Sequence, residues 1–241
     1  MSVRIIAHRG FSGVYPENTL LAFKKAIELC VDEIEFDIKM TKDGIPVIIH
    51  DETIDRTTNG KGRICDLTLK EIKSFDAGIK FGEEFKGLKI PTFEEALDII
   101  PEEIELNLHT MTNPDLIEKM LKILNDRKRE NFYLAIDSSL IQVAKNIKSD
   151  VKICNMRYQT DPWEYIEETK RVKAERLQFF TPSYEVTKDM VEKAHSYGIF
   201  VNVFFADTKE DMLKYINIGV DAILTNYPDR LIKILKYGKK S

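Results

Sequence analysis

The chain has 241 residues, 43% of them hydrophobic and 32% charged, a mixture able to bury a sizeable core in one large domain or two small ones. A net charge of −4 leaves no basic footprint, which argues against nucleic acid as a partner. No apolar run is long enough for a signal peptide or a membrane span, so a cytoplasmic location is expected. Cys30, Cys65 and Cys154 have neither metal nor disulfide spacing and are read as small buried apolar residues.

In chain order, Val3–Ala7 is an apolar run read as a buried strand that ends in His8-Arg9-Gly10. Asn18 or Thr19 is placed to cap a helix whose apolar positions, Leu20, Leu21, Phe23, Ala26, Ile27 and Cys30, recur at helical spacing. Glu33–Ile38 is the second strand. After it, Asp43-Gly44 suits the two positive φ angles of a tight turn, which predicts a hairpin with Lys42 facing Ile45 and Asp37 facing His50. Residues 51–91 are loop-rich, with a capping-box helix opening at Thr68 and glycines at 78, 82 and 87. Their small apolar content predicts an insertion over one end of a larger fold.

From Pro91 the rhythm is regular. Strands are predicted at 104–109, 132–136, 151–155, 177–180, 199–205 and 222–225. Helices are predicted at 92–100, 114–125, 140–146, 163–173, 188–197, 209–218 and 229–236. Tyr158, Trp163 and Tyr165 either form an exposed patch or pack against this body, and packing is preferred. Alternation on this scale implies parallel strands joined by right-handed crossovers. Eight strands in a chain of this length predict an α/β fold, a (β/α)8 TIM-type barrel over residues 1–241, with its active site at the C-terminal ends of the strands. A doubly wound open sheet is the other architecture considered, but no Gly-x-Gly-x-x-Gly follows the first strand.

Polar residues at barrel strand ends require a reason. The first strand offers His8 and Arg9. The second offers Glu35 and Asp37 on one face, with His50 on the returning arm. In the third, Glu105, Asn107 and His109 alternate with apolar residues and point one way. Three of the four histidines therefore fall at strand ends that a barrel brings together, whereas His195 lies on a helix and is read as structural. Such a set suits hydrolysis of an anionic oxygen ester. Carboxylates hold a hard divalent cation, Mg²⁺ or Ca²⁺, Arg9 binds phosphate oxygens, and two histidines divide acid and base duties.

His8-Arg9-Gly10, Pro16-Glu17-Asn18-Thr19, Glu35-Phe36-Asp37, Thr41-Lys42-Asp43-Gly44 and Val47-Ile48-Ile49-His50-Asp51 together resemble the glycerophosphodiester phosphodiesterases. Arg56–Gly60, Ile90–Leu97 and the closing stretch Gly219–Pro228 extend the resemblance over essentially the whole chain. It implies a metal-dependent barrel enzyme that hydrolyses glycerophosphodiesters, small-molecule substrates, to glycerol 3-phosphate and an alcohol. By position, His8 and His50 would be the acid/base pair and Arg9 a phosphate binder, with Glu35 and Asp37 as metal ligands. On the third strand the family usually carries a metal-ligand Glu where this chain has Asn107, and a Lys where it has His109. Asn107 still offers a carbonyl oxygen to a cation and His109 a partial positive charge to substrate, but one negative charge is lost. Glu105 lies two residues deeper, about 6.6 Å along the strand. Phe204 stands where the family commonly has Trp. These departures leave a second reading, a weakened or inactive member acting as a phosphodiester-binding module.

Overall fold

The computed structural model describes residues 3–110, 113–157 and 160–237. The chain opens with β1 (Arg4–His8), α1 (Leu20–Glu28), β2 (Glu33–Met40) and β3 (Pro46–Ile48), followed by α2 (Leu69–Ser74) and α3 (Phe93–Ile99). The alternating part comprises β4 (Glu105–His109), α4 (Pro114–Asp126), β5 (Phe132–Ile136), α5 (Ile141–Ile147), β6 (Ile153–Asn155) and α6 (Pro162–Arg171). It closes with β7 (Arg176–Phe180), α7 (Lys188–Ser196), β8 (Phe200–Phe204), α8 (Lys209–Ile218), β9 (Ala222–Thr225) and α9 (Pro228–Tyr237).

Strands β1, β2, β4, β5, β6, β7, β8 and β9 pair in parallel in that order, and β9 returns to β1, so the barrel is closed. Alternation along each strand divides its residues between two environments. Ile34, Phe36 and Ile38 of β2, like Leu106 and Leu108 of β4, are fully buried in the core beneath the helices. The intervening Glu33, Glu35, Asp37, Glu105 and Asn107 are also buried, on the inner face, which makes this barrel's interior unusually polar on the β2–β4 side. In register, Glu33 pairs with Glu105, Glu35 with Asn107, and Asp37 with His109.

The hairpin differs from the sequence expectation by one residue. Ile38 pairs with Ile48 and Met40 with Pro46, which puts Ile49, not His50, opposite Asp37; the Ile49 N–H donates to the Asp37 carbonyl at 3.0 Å. Three residues rather than two make the turn. The Gly44 N–H donates to the Thr41 carbonyl, Gly44 alone takes a left-handed φ of +74°, and Thr41 then bonds Ile45 across the loop. A type I turn followed by one left-handed glycine accounts for the shift.

Two further expectations are corrected. Cys30 and Cys65 are exposed, and only Cys154 is buried. Residues 51–91 also carry more apolar structure than composition suggested: Ile54, Ile64, Ile72, Ala77 and Ile90 bury themselves with Val47 and Ile49 in a cluster separate from the main core. The aromatic trio divides, since Tyr165 is buried, Trp163 is exposed and Tyr158 lies outside the described residues. His195 on α7 is tied to Asp221 through Nε2 at 2.8 Å, far from the other histidines in the fold. Among the described residues no helix is long and apolar enough to cross a membrane.

Candidate active site

The C-terminal end of β1 is shaped by backbone before it is shaped by side chains. Arg9 and Gly10 take successive left-handed φ angles of +54° and +80°. A Cβ at Gly10 would lie 2.7 Å from the Ala22 carbonyl carbon, so only glycine permits α1 to approach this turn. The strained Arg9 conformation directs its N–H to Glu35 Oε2 at 3.1 Å. Asn18 is also left-handed, at +56°, a conformation asparagine tolerates better than most residues. Its N–H returns to the Arg9 carbonyl, and its Nδ2 donates to Asp37 Oδ2 at 2.9 Å. Thr19, not Asn18, caps α1, its hydroxyl accepting from the Ala22 N–H.

These turns converge on the inner face of β2 and β4. Arg9 Nε lies 3.1 Å from Asp37 Oδ2. His109 Nδ1 lies 3.1 Å from Asp37 Oδ1 and 3.7 Å from Glu35 Oε1. Glu35, Asp37 and His109 can each present one donor atom such that all three fall within 4.8 Å of one another. Two ligands of one divalent ion, each about 2.1 Å from it, stand about 3 Å apart at right angles, so the donor spacing fits a cation. Asn107, on the rung of Glu35, is fully buried with neither side-chain polar atom hydrogen-bonded, and His109 Nε2 is likewise unpartnered. Buried polar groups are rarely left so.

Burial works on the two carboxylates differently. It drives the Glu35 carboxyl well above the usual range, with the Asp37 charge adding to the rise against Arg9. The same burial is outweighed at Asp37 by the His109 hydrogen bond and the charges of His109, Arg9 and His50, leaving that carboxyl well below its ordinary value. Arg9 itself is held more firmly protonated, since Asp37, Glu35 and Glu17 together outweigh its desolvation.

The two remaining histidines are held in contrasting ways. His8 is buried and its pKa is lowered to about 4, by desolvation first and then by Arg9. Its Nδ1 is 2.7 Å from Asn226 Oδ1, and Asn226 Nδ2 donates to Asp207 Oδ2 at 2.6 Å. A carboxylate only accepts, so Asp207 fixes the amide orientation, Asn226 Oδ1 accepts from Nδ1–H, and Nε2 of His8 keeps its lone pair. Nε2 faces Glu35 Oε2 at 3.9 Å. The Phe204 ring packs edge-on against His8 at 4.9 Å and forms part of the wall beside it. His50, with a side chain 42% exposed, donates through Nδ1 to Asp51 Oδ1 at 2.7 Å. Arg56 clamps Asp51, lowering its pKa to about 2, and reaches on to Glu17, which also binds Arg9.

All seven residues singled out in the sequence lie at this end of the barrel: His8, Arg9, Glu35, Asp37, Asn107 and His109 in contact or on adjacent rungs, and His50 near enough for its charge to bear on Asp37. Asn226, Asp207, Asp51 and Arg56 were not assigned roles from sequence, and Asn18 only a possible helix cap. Asn18, Asn226, Asp51 and Arg56 stood inside quoted motifs, but only the folded chain brings Asp207 to Asn226 or Arg56 to Asp51. Glu105 is excluded from the site, since its Oε2 is bound by Arg4 and Arg176 at the opposite end.

A model of the glycerophosphoryl diester phosphodiesterase family matches residues 8–230. The chain is 38% identical over 248 aligned residues to a glycerophosphodiester phosphodiesterase of Caldanaerobacter subterraneus, covering 99% of this chain and 100% of that protein. It is 31% identical to a glycerophosphodiester phosphodiesterase of Bacillus subtilis, over 96% of this chain and 86% of that one. A solved phosphodiesterase of Oleispira antarctica, in complex with the product sn-glycerol-3-phosphate, superposes with a TM-score of 0.87 at 27% identity and covers 97% of this chain and 96% of its own.

Proposed function

This chain belongs to the glycerophosphoryl diester phosphodiesterase family, and from that premise we propose that it hydrolyses glycerophosphodiesters to sn-glycerol 3-phosphate and an alcohol with the help of a divalent cation. It is a phosphodiesterase by membership; the product, the cation and the residue roles are our reading. The whole chain acts as one barrel domain, with residues 51–91 as an insertion beside the site. The observation that carries the reading is the convergent donor set Glu35, Asp37 and His109, with buried, unpartnered Asn107 on the Glu35 rung.

Glu35 and Asp37 hold the cation, with the Asn107 carbonyl beside them. When bound, the cation neutralises charge on the phosphoryl oxygens and favours attack at phosphorus. Arg9 supplies fixed positive charge to the same oxygens. The unpartnered Nε2 of His109 is a further donor toward substrate. His8, neutral and with Nε2 free, takes a proton from the attacking water, whose oxygen bonds to phosphorus as the P–O bond to the leaving alcohol breaks. His50, backed by the ionised Asp51, returns a proton to the leaving alcohol. Glu17 and Arg56 keep Arg9 and Asp51 in place between the two histidines.

The test is release of glycerol 3-phosphate from glycerophosphocholine by chelated protein, with and without added divalent cation, in wild type and His50→Ala. Cation-dependent turnover that falls roughly 10²- to 10⁴-fold in His50→Ala is expected. No turnover with any cation, followed by turnover in Asn107→Glu, would identify a phosphodiester-binding module in place of an enzyme.

A further inference from the structure

The β2–β4 rungs sort the buried carboxylate oxygens by what already holds them. Asp37 Oδ2 accepts from Asn18 Nδ2 and ion-pairs with the Arg9 guanidinium, and Glu35 Oε2 accepts from the Arg9 N–H. The other oxygen of each, Asp37 Oδ1 and Glu35 Oε1, faces a single nitrogen, His109 Nδ1, at 3.1 and 3.7 Å. The protein's own donors thus fix one oxygen of each carboxylate and leave the second convergent on an imidazole. Directly below, the Asn107 carboxamide is fully buried and unbonded.

We infer that His109 is a nitrogen ligand of the cation and that, with Glu35, Asp37 and the Asn107 carbonyl, it makes the site selective for a first-row transition ion such as Mn²⁺, Co²⁺ or Zn²⁺ over Mg²⁺ or Ca²⁺. The inference rests on reading this pocket as a metal-dependent diesterase site. Its chemistry follows from the donor set. Mg²⁺ and Ca²⁺ take oxygen ligands, and their affinity follows the number of carboxylate charges. Here Asn107 provides none. An imidazole adds little for those ions but suits the borderline-soft transition ions. A neutral carboxamide on the Glu35 rung and an imidazole on the Asp37 rung both move the balance in one direction.

Equilibrium cation binding, read without substrate, tests this on the full chain after metal removal. Co²⁺ is titrated while visible ligand-field bands and paramagnetically shifted proton resonances are followed, then Mg²⁺ and Ca²⁺ are titrated by competition. Wild type is expected to show a shifted, exchangeable imidazole N–H and to retain Co²⁺ against about 100-fold excess Mg²⁺. In His109→Gln, Co²⁺ affinity should fall at least about 10-fold and the shifted N–H should vanish, whereas Mg²⁺ affinity should move less than about 3-fold. The double variant Asn107→Glu/His109→Lys should bind Mg²⁺ and Ca²⁺ more tightly than wild type. Circular dichroism melts of each variant establish that it is folded.

Wild type binding Mg²⁺ or Ca²⁺ as tightly as Co²⁺ would overturn the inference, as would an unchanged Co²⁺ spectrum in His109→Gln. In the latter case His109 is only an ion-pair partner of Asp37. Those results leave the diesterase reading standing. Absence of binding by every cation overturns both.

Discussion

Two clusters of buried charge occupy opposite ends of one barrel, and alternate residues of the same two strands build both. At the lower end Glu33 lies 2.7 Å from Arg4 Nε, an ion pair without hydrogen-bond geometry, and accepts from Arg176 Nη1 at 3.1 Å and the Tyr133 hydroxyl at 2.8 Å. Glu105 receives Arg4 Nη2 at 2.9 Å and Arg176 Nη2 at 2.8 Å. The Arg176 guanidinium is held between the Tyr133 and Phe200 rings at 4.1 and 4.3 Å. Two carboxylates meet two guanidiniums, so the charges balance within the chain, although Arg4 Nε makes no hydrogen bond. At the upper end Glu17, Glu35, Asp37 and Asp51 share Arg9 and Arg56, while Asn107 and His109 Nε2 have no partner.

A buried charge costs several kcal/mol in desolvation, which only full pairing offsets. The lower cluster is paired within the chain and serves the fold. The upper cluster sets four carboxylates against two guanidiniums and leaves the Asn107 carboxamide and His109 Nε2 without hydrogen bonds, the pattern expected of a site that takes a ligand. Substitutions should therefore act in opposite senses at the two ends.

The largest effect is expected at the lower end. Arg176→Met strands Glu33 and Glu105 with Arg4 alone and should cost about 3 to 5 kcal/mol, lowering Tm by roughly 10 °C in a thermal melt. Activity of the fraction still folded should stay near wild type. If the variant melted normally, the lower cluster would not be structural.

Next comes pH. His8 has a folded pKa lowered to about 4, below the value near 6.5 of an unfolded histidine, so the native state binds fewer protons in that window. Its contribution to stability is complete above about pH 6.5 and is lost as pH falls toward 4, by about 3 kcal/mol in all. Asn226→Asp places a carboxylate against Nδ1, raises the folded pKa, and should shrink the loss measured by urea melts by about 1 kcal/mol. Identical pH profiles for the two proteins would show that His8 does not titrate as described.

The smallest change in stability is at the upper end, and it has the opposite sign. Glu35→Gln removes a buried carboxylate whose burial is poorly compensated. It should raise the stability of the metal-free protein by about 1 kcal/mol while lowering hydrolysis at least about 100-fold. A destabilised Glu35→Gln would make the two ends alike.

Much of this contrast was legible in the chain. Period-two alternation in Glu33–Ile38 and Ile104–His109 put charge on one face of each strand, and parallel β/α alternation made that face the inside of a barrel. The register at each end was less legible. The hairpin slipped by one because Thr41 recruits Lys42 into a three-residue turn, an energetic choice that Asp43-Gly44 does not announce. The supports of the histidines were not legible at all. Asp207 and Asn226 are brought to His8 only by closure of β9 on β1, and Arg56 reaches Asp51 and Glu17 only after the 51–91 segment folds on its own apolar cluster.

On the proposed reading a cation completes the upper cluster, and thermal melts of metal-free protein with and without Mn²⁺, for wild type and Glu35→Gln, decide whether it does. A cation that binds only the native state raises Tm, so wild type should rise by several degrees and Glu35→Gln should stay put. No rise in wild type, or an equal rise in both, would contradict the account.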